Sequence, residues 1–288
     1  LAGTVGHSNQ KIEGNQVLTD KVYTKGSAGQ NTTFVSGERS TTLSAGLDVG
    51  GSQTTEEQVG SQNITETTGA KVSLEKSQNI DSGASSSGVS LSGTQSTSVV
   101  ENVDTQSKVQ NVKAHEGTVF VQKAKNAEGE KVLTVGAQHG YTASDLNVNK
   151  DEQGNVSTEK SEWKTKNKLS ATDQLKLSAE SRVSHETAVG ETNADGTSRS
   201  DSIIDEVGVK AETGEDISLE EASATLQLSR THADKTERFN ELNEKVTESN
   251  SKKVSLSGTS AKDKDGKFTH GVGLSAKDQN IVETIHAD

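Results

Sequence analysis

The residues of this sequence that could carry out chemistry are its histidines and a few close carboxylates. The seven histidines are scattered, and none lies near another histidine at the spacing of a metal site. Cysteine is absent, which excludes thiolate ligands and thiol catalysis. The spacing therefore predicts histidines exposed on strands and no metal site. These residues are His7, His115, His139, His185, His232, His270 and His286.

The acidic clusters do not have the spacing of a calcium site or an acid/base pair. Asp263-Lys264-Asp265-Gly266 is similar to part of a calcium loop, but Ala261 stands where a further oxygen ligand is needed. Glu56-Glu57 and Glu220-Glu221 are adjacent pairs, and adjacent residues on a strand point to opposite faces of a sheet. Nucleophile-elbow, dinucleotide and phosphate-loop motifs are absent. The sequence thus predicts no enzymatic activity, no catalytic residue and no cofactor.

Trp163 is the one tryptophan of the chain, and it lies among Lys164, Lys166 and Lys168. A tryptophan in this setting could stack on a ligand, but it more often anchors a local core. We therefore interpret Trp163 as a core residue, with ligand stacking as the alternative.

The elements that position these residues must be built from few large side chains. Hydrophobic residues are 28% of the 288 residues and aromatic residues are 2%. Such a composition cannot fill the wide core of an ordinary globular enzyme. The net charge of −12 comes from interleaved acidic and basic residues, so we expect no nucleic-acid binding. No run of 18 apolar residues occurs, so we also expect no membrane-spanning segment.

Alternation of apolar and polar residues predicts many short β-strands. Val72-Ser73-Leu74, Val89-Ser90-Leu91 and Val254-Ser255-Leu256 are typical of this alternation. Turn residues separate the runs, for instance at Glu128-Gly129 and Asp195-Gly196. The pattern therefore indicates an all-β protein.

One segment, residues 234–249, also has apolar residues at helical spacing. Phe239, Leu242 and Val246 would share one face of a short helix. The same residues could form one arm of a long hairpin. The segment therefore predicts either a short helix or a strand, and we favour the strand.

An internal repeat is the most informative feature of the sequence. Lys71-Val72-Ser73-Leu74 recurs as Lys253-Val254-Ser255-Leu256, and the Gly88–Ser92 segment recurs as Gly271–Ser275. A weaker copy begins at Lys168. Each copy predicts a β-hairpin, and because an isolated hairpin is only marginally stable, each must pack on a continuous structure.

We therefore predict an all-β, elongated β-solenoid, or β-helix, from which β-hairpins project. The core of a narrow solenoid needs only a few Val, Leu, Ile or Ala side chains in each coil. The predicted coils are residues 1–70 and 105–167, together with the β-rich segment 191–252, which holds the possible helix. The predicted hairpin units are residues 71–104, 168–190 and 253–288.

A resemblance to a known family supports this prediction. The segment from Ser40 to Gln53 resembles the haemagglutinin repeat, in which an L-x-A-G-x-D-V run precedes G-S-Q. Val135-Gly136-Ala137-Gln138 and the following Ala143–Val148 segment resemble a second phrase of that repeat. The family comprises exoproteins of two-partner secretion: filamentous haemagglutinins and contact-dependent growth-inhibition proteins. The resemblance implies a right-handed β-helical rod on a bacterial surface, used for adhesion or toxin presentation.

A second resemblance implies a different assembly. The segments Val49–Thr54 and Val59–Thr65 resemble the V-G-x-x-Q-T octads of trimeric spikes in phage baseplates and type VI secretion tips. In such spikes three chains intertwine, and each octad contributes one strand. This resemblance is the alternative to the haemagglutinin repeat.

The expected function is that of an extracellular structural or display rod. It would be adhesin-like or the stalk of a toxin-delivery protein, and able to associate into filaments. The alternative is a trimeric β-helical spike or tail-fibre component of a phage or type VI secretion device. Expected partners are proteins or glycans on a neighbouring cell, or further copies in a homo-oligomer. The expected location is secreted or on a bacterial cell surface. A β-helical polysaccharide-degrading enzyme is disfavoured by the scarcity of aromatic residues.

Overall fold

The computed structural model describes residues 2–35, 38–104, 106–214, 221–240 and 244–285. These residues form one sheet of thirteen antiparallel strands. The strands are β1 (Ala2–Glu13), β2 (Gln16–Val35), β3 (Glu38–Val59), β4 (Gln62–Asn79), β5 (Ser85–Asn102), β6 (Ser107–Lys125), β7 (Lys131–Lys150), β8 (Val156–Thr172), β9 (Leu177–Thr192), β10 (Ser198–Thr213), β11 (Ala222–Phe239), β12 (Lys245–Lys262) and β13 (Phe268–Ile285).

The sheet is a simple meander, in which each strand pairs with the strands before and after it in the chain. β1 and β13 are its two edges. The predicted β-solenoid is therefore wrong. Coils of a β-helix pair in parallel with the next coil, whereas every pair of strands described here is antiparallel. Tight turns join consecutive long strands, so each strand runs antiparallel beside the previous one. A solenoid coil cannot form in this connectivity.

The repeated segments form hairpins, but these are parts of the sheet and do not project from a rod. In β4 and β5, Lys71 pairs with Ser92 and Leu74 with Val89. In β12 and β13, Leu256 pairs with Leu274. The segments expected to be solenoid coils, residues 1–70, 105–167 and 191–252, contribute strands to the same sheet.

The possible helix at residues 234–249 is not formed by the described residues of that segment. Residues 234–239 complete β11, and residues 245–249 begin β12. Arg238 pairs with Val246 across the turn. Leu242 lies outside the described residues. Pairing with neighbouring strands outweighs the helical spacing, because residues 234–239 and 245–249 take part in the ladder of backbone hydrogen bonds.

The sheet has no apolar core within its described part. No apolar side chain there is buried, and the side chains that are buried are Thr41, Ser73 and Ser229. The described residues also contain no helix that is long and apolar enough to cross a bilayer. The ladder of backbone hydrogen bonds is therefore the main support of the fold.

Five-residue turns of one type close four of the hairpins. In the turn after β6, the Asn126 N–H donates to the Glu130 carbonyl at 3.0 Å, and the Gly129 N–H donates to the Asn126 carbonyl at 3.2 Å. Gly129 has a φ of 92°, in the left-handed region that glycine adopts without strain. The same bonds recur in the turns that begin at Asp151, Asn193 and Asp263.

Leu175 occupies the left-handed position in the turn between β8 and β9. The hydrogen bonds match those of the other turns, since the Thr172 N–H reaches the Lys176 carbonyl at 3.0 Å. Leu175 has a φ of 55°, and it is the one non-glycine residue with positive φ in the described chain. A branched side chain in this conformation costs about 1–2 kcal/mol. This turn is therefore the strained member of the set.

Asp104 and Asp195 are turn aspartates whose pKa lies below the ordinary value for a carboxyl group. The Gln106 N–H donates to Asp104 Oδ1 at 2.7 Å, and this bond lowers the pKa of Asp104. The Thr197 N–H donates to Asp195 Oδ1 at 2.9 Å and lowers the pKa of Asp195 in the same way. In both turns the backbone donor favours the charged carboxylate.

Replacing Leu175 by glycine is expected to stabilise the protein by about 1 kcal/mol, because glycine adopts the left-handed conformation without strain. Denaturant titration of the folded chain would measure the change. Leu175→Ala is the matched control, since it shortens the side chain but keeps the Cβ that causes the strain. Equal stability of the glycine and alanine variants would show that the backbone of this turn is not strained.

Acid is expected to weaken the two aspartate turns. A carboxyl with a lowered pKa in the folded state stabilises the fold above its ordinary pKa, and this contribution is lost as the pH falls below about 4. Thermal unfolding between pH 6 and pH 3 should therefore show a smaller loss of stability in the Asp104→Asn/Asp195→Asn double variant than in the parent. Glu128→Gln, a turn substitution without a side-chain bond to lose, should retain the parental profile. A double variant as acid-sensitive as the parent would contradict the assignment.

Candidate functional site

Strand periodicity gives the sheet two chemically different faces. In β4, Val72 and Leu74 lie on one face, while Lys71 and Ser73 lie on the other. We call the first the aliphatic face and the second the polar face. The same two faces extend across the sheet, because the side chains of paired residues in neighbouring antiparallel strands point to the same face.

The aliphatic face is continuous from β3 to β13. Val72 pairs with Val49 on one side and with Leu91 on the other. Leu228 continues the face in the second half of the sheet, where it pairs with Val207 and Leu256. The following aliphatic residues of this face are all exposed: Leu47, Val49, Val72, Leu74, Val89, Leu91, Val119, Val121, Leu133, Val135, Leu169, Val183, Val207, Val209, Leu226, Leu228, Val254, Leu256, Val272 and Leu274.

Burial is inverted between the two faces. Ser73 is 3% exposed, whereas the next residue, Leu74, is 44% exposed. Ser229 is 8% exposed, whereas Leu228 is 40% exposed. In water the hydrophobic effect favours the opposite arrangement, with leucine inside and serine outside. A contiguous exposed apolar surface of this kind marks contact with another apolar medium or molecule.

In β4, β6 and β12, charged residues bound the aliphatic face ten residues apart along the strand. In β4, Glu66 and Lys76 are ten residues apart, and the residues of this face between them are Thr68, Ala70, Val72 and Leu74. Lys113 and Lys123 bound β6 at the same separation, as do Lys252 and Lys262 in β12. Ten residues span about 34 Å of strand. We call the part of the aliphatic face between these bounding charged residues the uncharged stretch.

Aromatic and polar side chains lie along one border of this uncharged stretch. Trp163 is 52% exposed there, and its ring centroid is 4.0 Å from that of His185. Register continues this row through Asp205 to Arg230, whose guanidinium contacts the Asp205 carboxylate at 2.7 Å. The interpretation of Trp163 as a core residue is wrong, because its side chain is exposed and no apolar side chain among the described residues is buried.

The six described histidines all lie on the aliphatic face, which the sequence did not reveal. His115 and His139 lie in adjacent strands with ring centroids 5.7 Å apart, and Tyr141 lies 4.6 Å from His115. His232 Nε2 is 2.6 Å from Asp201 Oδ1. His286 is outside the described residues. Two histidines far apart in the sequence are thus neighbours, because β6 and β7 pair.

Two of the three acidic clusters of the sequence lie wholly within the described residues. Asp263–Gly266 is a turn between β12 and β13, as expected. Glu56 and Glu57 are consecutive residues of β3, so their side chains point to opposite faces. Glu220 lies outside the described residues.

The polar face carries a network of ion pairs that joins β8, β9 and β10. Lys160 Nζ lies 3.2 Å from a Glu186 oxygen and 3.4 Å from a Glu162 oxygen, and Lys164 Nζ contacts Glu162 at 2.5 Å. Arg182 extends the network to Glu206 at 3.5 Å. The sequence signal for this network is the charge at every second position from Lys160 to Lys168.

Aromatic rings on the polar face lie over glycines of the neighbouring strands. A Cβ at Gly136 would lie 2.5 Å from Phe120 Cζ and 2.7 Å from the Leu169 carbonyl oxygen. Tyr23 has a similar relation to Gly50, where a Cβ would lie 2.9 Å from the tyrosine hydroxyl. These glycines are therefore required as space for the rings.

Comparison with known proteins gives structural similarity only. The beta domain of the Bordetella autotransporter Brka matches 91% of this chain and 97% of its own, with 10% identity and a TM-score of 0.30. The ferric citrate transporter FecA, in its unliganded form, matches 97% of this chain with 8% identity and a TM-score of 0.43. This chain spans 55% of the FecA chain. No protein-family model and no curated protein matches the sequence. The resemblance to haemagglutinin repeats therefore stays a prediction.

The prediction of no membrane-spanning segment is wrong. It rested on helix-length apolar runs, whereas a strand crosses a bilayer with about 9–11 residues. Every strand is longer than this, from the 12 residues of β1 to the 22 of β3. The partner prediction that contained this exclusion is thereby corrected.

Gly136→Ala is expected to destabilise the sheet by about 1–3 kcal/mol, because the new methyl group meets both the Phe120 ring and a fixed carbonyl. Gly117→Ala, in the adjacent strand, is the control. No atom lies within 4 Å of a Cβ there, so that variant should be unchanged or slightly more stable. Denaturant unfolding of both variants measures the difference, and equal stabilities would contradict the packing of Phe120 over Gly136.

Proposed function

We propose that this chain is a cell-surface protein whose sheet lies in a lipid bilayer, with the aliphatic face against acyl chains and the polar face towards water. The observation that carries the proposal is the inverted burial, in which leucines and valines are exposed while serines on the opposite face are enclosed. In lipid the exposed aliphatic side chains lie in their preferred environment, so the arrangement ceases to be unfavourable.

The dimensions of the uncharged stretch support a bilayer as the apolar medium. The separation between Glu66 and Lys76 corresponds to about 34 Å of strand. At the tilt of about 45° that membrane-spanning strands adopt, this length covers about 24 Å of bilayer, close to the apolar band of about 25 Å found in such proteins. β6 and β12 have the same separation between their bounding lysines.

The side chains along the border of the uncharged stretch support the same orientation of the sheet in the bilayer. Trp163 and His185 lie side by side at the end of the uncharged stretch. Tryptophan is enriched where a membrane meets water, since its ring is apolar and its N–H is polar. The Asp205–Arg230 ion pair continues the row, at a depth where charged side chains reach water.

The polar face provides the hydrated side that the proposal requires. Arg182 and Glu206 lie level with Val183 and Val207 and pair at 3.5 Å, which reduces the cost of charged groups within the membrane thickness. Hydroxyl groups of the polar face also satisfy one another at this depth, since Thr118 Oγ1 donates to Ser92 Oγ at 3.0 Å.

The proposal places a condition on the two edge strands. Unpaired backbone groups are costly in hydrocarbon, so β1 and β13 must be paired there. With thirteen antiparallel strands, β1 and β13 run in the same direction, and a direct pair between them would be parallel. In this arrangement the turns at the two ends of the strands lie outside the bilayer, and they would serve the display role expected from the sequence.

Trp163 is expected to report contact with lipid, because it is the only tryptophan and lies on the aliphatic face. When the folded chain is mixed with phosphatidylcholine vesicles, brominated acyl chains should quench its fluorescence. Bromine near the headgroup end of the chain should quench more than bromine near the terminal methyl, since Trp163 lies at the border of the uncharged stretch. Absence of quenching by either lipid would contradict the proposal.

A charge on the aliphatic face is expected to oppose membrane insertion. Leu256→Lys introduces a lysine midway between Lys252 and Lys262 and should weaken insertion into vesicles by about 2–4 kcal/mol. Ser255→Lys is the matched control, because it adds the same charge one residue away on the polar face. Vesicle flotation measures the inserted fraction of each variant. Equal loss in both, or full retention in both, would be incompatible with lipid on the aliphatic face.

A further inference from the structure

The polar face holds a cavity of about 260 Å³ between β4 and β8. We call it the β4–β8 cavity. It is separate from the aliphatic face, so an inference about it goes beyond the proposed membrane contact. The residues that line it are Ser73, Glu75, Ser86, Gly88, Val89, Ser90, Phe120, Val121, Gln122, Gln138 and Lys168.

A buried hydroxyl without a partner lies at this cavity. Ser73 is 3% exposed, and its Oγ has no hydrogen-bond partner among the described residues. Buried polar atoms are normally hydrogen-bonded, and an exception is a sign of a missing ligand or water. Ser73 lines the cavity, so a ligand there can supply the missing bond.

Two opposite charges also line the cavity without pairing. Glu75 and Lys168 are the two charged residues that line it. Within the described part of the chain neither group forms an ion pair, whereas the charges of the Lys160 network do. One free cation and one free anion in the same cavity complement a molecule that carries both charges.

Phe120 supplies an apolar surface beside these charges. Lys168 Nζ lies 5.4 Å from the centroid of the Phe120 ring, which holds the ammonium near the cavity by a cation–π contact. Gln122 and Gln138 add two side-chain amides, each able to donate and accept. The cavity therefore combines a cation, an anion, neutral polar groups and one aromatic ring.

We propose that the β4–β8 cavity binds a small zwitterion of amino-acid size, whose carboxylate pairs with Lys168 and whose ammonium group pairs with Glu75. The remaining polar atoms of the ligand bond to the Ser73 hydroxyl and the glutamine amides. The volume is just below the range of about 300–1,000 Å³ that is usual for drug-sized ligands, which suits a molecule of this size.

The charges favour a zwitterion over a neutral sugar of similar size. A sugar would bond to the hydroxyl and the amides, but it would leave Glu75 and Lys168 without counter-charges. A zwitterion pairs with both groups, and charge-assisted hydrogen bonds are about twice as strong as neutral ones.

The test uses L-glutamine as the probe and titration calorimetry on the folded full chain. N-acetyl-L-glutamine lacks the ammonium group, and L-glutamine amide lacks the carboxylate. Each should bind at least about tenfold more weakly than L-glutamine, because each leaves one charge of the cavity unpaired. Methyl α-D-glucoside is the sugar probe and should bind more weakly than L-glutamine.

Variants assign each ligand charge to its residue. In Glu75→Gln the affinity for L-glutamine should fall, and the difference between L-glutamine and its N-acetyl analogue should disappear. In Lys168→Gln the difference between L-glutamine and its amide should disappear. Lys166→Gln is the matched control, since Lys166 lies on the same strand and face but does not line this cavity. It should bind L-glutamine like the parent.

The results that would overturn zwitterion binding in the β4–β8 cavity concern ligand affinity, so they are distinct from a failure of the proposed membrane contact. They are no binding of L-glutamine at about 10 mM, tighter binding of the glucoside, or equal losses in the Lys166 and Lys168 variants. Circular dichroism of each variant shows whether the sheet is retained. Ser73→Ala provides a second measurement if a charge variant fails to fold, and unchanged affinity in that variant would also count against the site.

Discussion

The two-residue period of strand side chains, kept in register through a whole antiparallel sheet, is the constraint on which this structure depends. Each ladder pairs residues that point to the same side, so Val49, Val72 and Leu91 form one row. A shift of one residue in any pair would move an entire set of aliphatic side chains to the polar face. Register and surface chemistry are therefore the same property in this protein.

The absence of a core follows from the same arrangement. A single sheet can bury a face only against another layer, and the described residues form no second layer. Leucines such as Leu74 therefore stay exposed, while Ser73 is enclosed by its neighbours on the polar face. The proposal of a bilayer follows because lipid is an apolar medium that can take the place of the missing layer.

The polar face is more than the reverse side of a hydrophobic surface. Its charges are ordered by pairing, as Lys160 is between Glu162 and Glu186, and its aromatic rings are seated over glycines. The β4–β8 cavity differs because Glu75 and Lys168 are not paired. That contrast between satisfied and unsatisfied groups distinguishes a candidate ligand site from the rest of the face.

Local features could be predicted from the sequence, because they depend on neighbouring residues. The alternation in Val72-Ser73-Leu74 indicates a strand, and Asp195-Gly196 indicates a turn, since glycine adopts the left-handed conformation that the turn needs. The helical spacing of Phe239 and Val246 was misleading because the backbone of that segment is satisfied by strand partners. Trp163 was misassigned because a buried core was assumed.

The sequence by itself determined the strands, the turns and the two-residue alternation of apolar and polar side chains. Only the tertiary structure decided that successive strands pair side by side in one antiparallel sheet instead of stacking as coils, since both arrangements satisfy the same alternation. It also decided which side of the strands is enclosed. The physical reason is that alternation separates two faces without stating which one meets water, and that choice depends on how thirteen strands are paired.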